Sequence, residues 1–391
     1  MKINRTIYLD HQSTTPIDAQ VWDKMVPYFA ELFGNPHSSD HCLGWYASQA
    51  LEKAGVRVGE LIGSDPNEII FTSGATEANN LALLGVGRKA AKGKRKRILV
   101  STIEHKCVLA VCRTLHEQLG YQVEYLRVDD EGFIDLSDLK EILNEDVLLV
   151  SIMAVNNEIG TIQDIEKISK IVRDYGTLLH CDAAQAPCAL NIQHYAEIVD
   201  FISLSAHKIY GPKGIGALYI RHDLQEAVEP LIYGGGQQGA LRSGTVPVPL
   251  CVGMEAASEL LIGDEGENSR LVLRKLRDDF IKQLMNLPWP ISLNGPKSHR
   301  HPGNANVCFK GFSAHEILNS LQPYVAASTG SACTSGMPEP SHVLRAIGLS
   351  WQEVEGSIRF SLGRGTTQRD LAEAVQLIGK TLSDLAEINS P

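Results

Sequence analysis

Residues 199–220 read VDFISLSAHKIYGPKGIGALYI. The run 199–205 has the length and β-branched content of a buried strand, and it stops at Ala206-His207-Lys208 before a Gly/Pro-rich turn and a second short apolar run. A lysine therefore stands just past the end of a core strand. Lysines in turns are ordinarily solvated, and taken alone Lys208 carries no more than that. The alternative is a lysine at the carboxyl edge of a sheet, where α/β proteins bind their ligands, in a loop shaped by Gly211, Pro212, Gly214 and Gly216.

Upstream, the pattern alternates. Strand-like runs at 68–72, 98–101, 122–128, 147–153 and 178–182 are separated by helical periodicity to about residue 85, near 136–143 and near 162–175. Such alternation predicts an α/β fold with a mainly parallel sheet between layers of helices. Its consequence is geometric: Thr76, His105, Asn156, Asn157, Asp182, Gln185, His207 and Lys208 all fall at or just past strand ends, where they converge on one edge. Ser73-Gly74-Ala75-Thr76-Glu77, between a strand and a helix, places free backbone N–H groups and a positive helix end together, which suits a phosphate as well as a plain N-cap.

The flanks add candidates of different kinds. HQSTTP (11–16) is a polar turn leading toward a helix near residue 17. The loop FGNPHSSDHCLG (33–44) holds His37, Asp40, His41 and Cys42, whose spacing fits no zinc pattern well, so it reads as a polar loop. A basic run, KAAKGKRKR (89–97), reads as a solvated helix end, with contact to an acidic partner as the sharper option. YGGGQQGALRSGT (233–245) is too glycine-rich for a packed element and reads as a functional loop carrying Arg242 and Thr245. From residue 291 the pattern changes to a smaller α+β unit, with a strand at 304–309, helices near 314–321 and 339–347, a strand at 357–361 and a last helix from Gln368. Within it, Cys333 lies in STGSACTSGMP (328–338), a setting that favours exposure over packing, and Arg359 is a charge inside a strand that requires a carboxylate, either structural or from a substrate.

The totals narrow the class. The chain has 391 residues, 43% hydrophobic and 21% charged, enough for a large and a small domain in an ordinary globular protein. The net charge of −10 argues against nucleic acid as the main partner. No apolar stretch reaches membrane-helix length, no signal peptide opens the chain, and eight cysteines without paired spacing imply reduced thiols, so the expected location is the cytoplasm. A lysine, an aspartate one βα unit upstream, a phosphate turn and a histidine on one sheet edge are together what pyridoxal 5'-phosphate requires.

SAHKIYGPKGIGALY, FTSGATEANN, VNNEIG, HCDAAQ, RSGT, GSACTS and SIRFSLGR, at these spacings, closely resemble the cysteine desulfurases of the class V aminotransferase-like, fold-type I pyridoxal-phosphate enzymes. The resemblance runs from Tyr8 to about Leu377. It implies a large cofactor-binding domain (15–260) with a mainly parallel, seven-stranded sheet, and a smaller α+β domain (1–14 and 261–391) carrying the cysteine loop. It implies that Lys208 is the Schiff-base lysine, that Asp182 pairs with the pyridine nitrogen and Gln185 with the ring hydroxyl, and that His105 stacks on the ring and shuttles protons. Ala75, Thr76, Ser205 and His207 hold the phosphate in that scheme, with Thr245 reaching in from the other subunit of a homodimer. Asn157 and Arg359 hold the substrate carboxylate, Cys333 accepts the sulfur of L-cysteine as a persulfide, and L-alanine leaves; no metal takes part. The longer cysteine loop, CTSGMPEPSHVLRAIG, is similar to that of members feeding iron–sulfur assembly or thiolation. The chain ends at SDLAEINSP, without the longer tail by which many such members grip a scaffold, so the acceptor stays open between an iron–sulfur scaffold, a thiolation relay and a DNA-sulfur system. The rivals are a selenocysteine lyase or class V aminotransferase, and a non-catalytic sulfur-system adaptor that kept only the fold.

Overall fold

The computed structural model describes residues 1–330 and 340–388. Its centre is a seven-stranded sheet in the order Ile69–Thr72, Gly216–Ile220, Phe201–Ser205, Leu178–Asp182, Val147–Ser151, Arg97–Ser101 and Gln122–Leu126. Only Gly216–Ile220 runs against the rest; its neighbours on both sides pair with it antiparallel, and the other pairings are parallel. The central strands are apolar on both faces because both faces are covered, as a parallel sheet demands. Along one strand Ile98 and Val100 face the helices Ala75–Lys89 and Lys106–Leu119, while Leu99 between them faces the opposite layer, which includes Cys42–Ile62, Ile165–Arg173 and Val248–Glu259.

The edge strand Ile69–Thr72 is closed by a side chain. Gln238, in the glycine-rich loop, accepts from the Phe71 N–H at 2.7 Å and donates to the Phe71 carbonyl at 3.0 Å, so its amide substitutes for a strand partner. Arg242 in the same loop pairs with Glu77 at 2.9 Å, fastening the loop to the start of the Ala75–Lys89 helix.

A second core lies apart from the sheet. Ile7 and Leu9 from the N-terminus join Phe280, Leu284, Val307, Phe309, Ile358, Phe360, Leu371, Ile378 and Leu382. Its antiparallel strands are Ile291–Leu293, Asn304–Phe309 and Ser357–Ser361, with Asn306 opposite Arg359. No described helix is long and apolar enough to cross a membrane.

The basic run divides into a solvated helix end, as expected, and a structural second half. The helix continues to Lys89, Arg95 donates to the carbonyls of Val147 and Tyr175, Lys96 lies 5.4 Å over the Tyr121 ring, and Arg97 grips Glu124 at 2.6 Å. Lys89, Lys92 and Lys94 are exposed. His41 caps the Cys42–Ile62 helix by accepting from the Gly44 N–H at 3.2 Å, and no group of three potential metal ligands occurs among the described residues.

Candidate functional site

At the carboxyl edge of the sheet lies a cavity of about 550 Å³. Among its lining residues are Ala75, Thr76, His105, Asn157, Asp182, Gln185, Ser205, His207, Lys208 and Arg359, so ten residues singled out in sequence meet in one place. Thr245 and Asn156 do not join them. Thr245 is exposed in a separate groove with Tyr28, Phe29, Phe33 and Pro36, and Cys333 lies outside the described residues. Asn156, beside Asn157, is wholly buried and structural: its side-chain oxygen accepts from the N–H groups of Glu158 and Ile159 and its amide donates to Ile103.

Lys208 closes a single 3-10 turn after the Phe201–Ser205 strand. Its Nζ donates to the carbonyls of Gln12 at 2.6 Å and Ser13 at 2.7 Å. Burial, and secondly the Arg359 charge, push the amine down to about 8. Asp182 ends the neighbouring strand; its Oδ2 accepts from Asn79 Nδ2 at 2.8 Å and its Oδ1 from the Ala184 N–H at 3.0 Å. Donors fix both carboxylate oxygens in place.

The Ala75–Lys89 helix starts at Gly74 with no side-chain cap, so its first N–H groups are not consumed by one. Gly74 has φ +150°, and Gly216 passes so close that a Cβ there would lie 2.6 Å from the Gly74 Cα. Ser205 and His207 flank this turn in the cavity wall. Burial and the adjacent Lys208 push His207 down to about 4, so it is a neutral hydrogen-bonding group.

His105 is the N-cap of the Lys106–Leu119 helix, its Nδ1 accepting from the Cys107 N–H at 3.2 Å. Burial lowers its pKa; Asp182 opposes this, and Lys208 and His342 reinforce it. Arg359, nearly buried, donates to Asp10 Oδ1 at 2.7 Å, Ser13 Oγ at 2.6 Å, Ser328 Oγ at 2.9 Å and the Asn157 carbonyl at 2.8 Å, while its Nε has no partner among the described residues. The strand charge therefore has a structural carboxylate, Asp10, while its side chain also forms part of the cavity wall. Glu158 also lines the cavity; burial raises its pKa, and it accepts from Ser341 at 2.5 Å.

The segment 10–14 is the wall that sequence reading missed. Besides holding Lys208 and Arg359, it accepts from Gln185 Nε2 at the Gln12 carbonyl (2.9 Å), and Thr14 Oγ1 meets His207 Nδ1 at 3.1 Å. Much of its contribution is backbone carbonyl, which no residue pattern reports.

This donor set fits pyridoxal 5'-phosphate. It offers an amine poised near neutrality, a carboxylate held by donors, and an uncapped helix start with hydroxyl and imidazole beside it.

Comparison with known proteins gives the same direction. Residues 7–373 match the model of the family described as aminotransferase class-V. The chain is 45% identical over 386 residues to the cysteine desulfurase IscS of Rickettsia felis, covering 99% of this chain and 93% of that protein. Among solved structures it is similar to a NifS-like protein (TM-score 0.90, 36% identity, 97% of this chain and 99% of that one). It is also similar to SspA in complex with cysteine (TM-score 0.80, 35% identity, 92% and 99%).

Proposed function

The chain belongs to the class V aminotransferases and, within them, to the pyridoxal-phosphate-dependent cysteine desulfurases, and from that premise we propose the roles of its residues. Lys208 carries the cofactor, Asp182 pairs with its ring nitrogen, Gln185 with its ring hydroxyl, and Ala75, Thr76, Ser205 and His207 hold its phosphate together with Thr245 of the partner subunit. When bound, the cofactor supplies an aldehyde for the lysine and a ring that takes up negative charge from the substrate's α-carbon. Arg359 and Asn157 receive the carboxylate of L-cysteine, and their place in the cavity wall supports that role. His105 moves protons beside the reacting carbons. Cys333 takes the substrate sulfur as a persulfide, and L-alanine leaves. Residues 15–260 form the cofactor domain, with 1–14 and 261–391 as the small domain. A homodimer working in the cytoplasm and passing sulfur to an acceptor protein completes the reading.

The observation that carries it is the meeting of Lys208, Asp182, His105 and Arg359 in one cavity. Incubation of the loaded enzyme with ³⁵S-cysteine and no keto acid tests it. Alanine should form in step with label on the protein, and Cys333→Ser should abolish the label while keeping the cofactor band. A strict need for a keto-acid acceptor would instead indicate an aminotransferase. Adding candidate acceptors to the labelled protein and following the sulfur then identifies the recipient.

A further inference from the structure

His105 does not meet its surroundings alone. Its Nδ1 lies 3.0 Å from Cys107 Sγ as well as 3.2 Å from the Cys107 N–H. A backbone N–H can only donate, so Nδ1 is the unprotonated nitrogen and the proton of the neutral ring is on Nε2. Cys107 in turn receives a donor: Asn79 Nδ2 lies 3.3 Å from its sulfur and 2.8 Å from Asp182 Oδ2. Asn79 is wholly buried on the Ala75–Lys89 helix, while Cys107 lines the cavity from the Lys106–Leu119 helix. One chain of contacts thus runs Asp182, Asn79, Cys107, His105.

We propose that Asn79 and Cys107 are positioning residues: they hold His105 as a neutral imidazole with its proton on Nε2, and they tie its orientation to the Asp182 carboxylate. This deepens the role given to His105 above and rests on it. A ring fixed in this way presents an N–H donor to the cavity, because protonation at Nδ1 would set a cationic N–H against the Cys107 N–H. The same geometry argues against Cys107 as a second sulfur acceptor. Burial, and then the Asp182 charge, push its thiol up to about 11, and a thiol rather than a thiolate is a donor to Nδ1 and a poor nucleophile. The charged and titratable groups facing His105 are Asp182, Lys208, His342 and Lys106; changing Cys107 removes none of them, whereas Asn79→Ala also takes a donor from Asp182.

The test is a two-bond ¹H–¹⁵N spectrum of histidine-labelled enzyme, with and without cofactor, the His105 signals assigned by loss in His105→Gln. The expected spectrum shows an unprotonated Nδ1 and a protonated Nε2. Because Asn79 reaches His105 through Cys107 as well as through Asp182, Asn79→Ala should move the His105 signals further in the native background than in a Cys107→Ala background. Cys107→Ala removes a donor from Nδ1, which favours the imidazolium, so the acid limb of the kcat/KM profile should move to higher pH. Cys107→Ser keeps a donor and should restore the native profile. A protonated Nδ1 in the native enzyme, equal effects of Asn79→Ala in both backgrounds, or an acid limb unmoved by Cys107→Ala would each overturn the proposal. If Asn79→Ala does not fold, the Cys107 pair and the native spectrum still decide. Alanine release from cysteine is read separately, so failure of the desulfurase reading is distinguishable from failure of this one.

Discussion

Lys208 condenses with an aldehyde only as a neutral amine. Burial depresses its pKa to about 8, so the reactive fraction rises as pH approaches that value and levels off above it. Reconstitution of the cofactor-free protein, followed by growth of the cofactor band, should therefore speed up from pH 6 to about 8 and then plateau; a plateau only near the ordinary lysine pKa of about 10.4 would contradict the burial argument. Lys208→Ala should remove the band and lower turnover by about 10³-fold or more. Arg359 poses a different question, because Asp10, Ser13, Ser328 and Asn157 already hold it. Arg359→Gln leaves the substrate carboxylate without its cation, and the KM for cysteine should rise about 30-fold or more with a smaller change in kcat. Equal KM values in native and variant enzyme would remove Arg359 from substrate binding. Residues of this kind were legible in the sequence because their type is out of place, a lysine at a strand end and an arginine inside a strand. Asn79 and Cys107 were not, since an amide and a small thiol on helices look like ordinary helix residues until the fold brings them to Asp182 and His105.

At the scale of elements, the phosphate end depends on two backbones passing almost in contact. Gly216 is in register with Ser205, and a Cβ on it would lie 2.4 Å from the Leu204 carbonyl oxygen and 2.6 Å from the Gly74 Cα. Neither neighbour is a side chain that can rotate away. Gly216→Ala should cost about 2 kcal/mol or more in urea unfolding and weaken cofactor retention, because relief of the clash moves the Gly74 turn. A variant with native stability and native retention would show that the turn has slack. The strands and helices of this region were legible from period and punctuation, and Asn304–Phe309 and Ser357–Ser361 fall where the pattern put them. The antiparallel direction of Gly216–Ile220 was not, because an apolar run of five residues carries no sign of its direction. Nor was the docking of the glycine-rich loop, which depends on one amide, Gln238, matching one peptide of an edge strand.

The whole molecule places Thr245 away from the cavity of its own chain, in a groove walled by Tyr28, Phe29 and Phe33. Around that end Trp22, Phe29, Phe33, Trp45 and Tyr46 are each more than half exposed, an apolar surface suited to a second copy of the chain. If Thr245 completes the phosphate site of the partner subunit, then each cavity draws Lys208 and Thr245 from different chains. That arrangement has a consequence that stability measurements cannot imitate. Thr245→Val removes a hydroxyl donor to a charged group and should weaken cofactor binding about tenfold or more in the pure variant. Lys208→Ala removes the covalent anchor in its own pure variant. In a mixed dimer, the chain that keeps Lys208 receives Thr245 from the Lys208→Ala chain, so one of its two cavities is fully native. Co-expression with two different affinity tags, purification of the mixed species and titration at limiting cofactor should therefore return about half of the native band and half of the native alanine formation. A mixed dimer with the weak binding of pure Thr245→Val would place Thr245 and Lys208 in the same cavity and overturn the shared site.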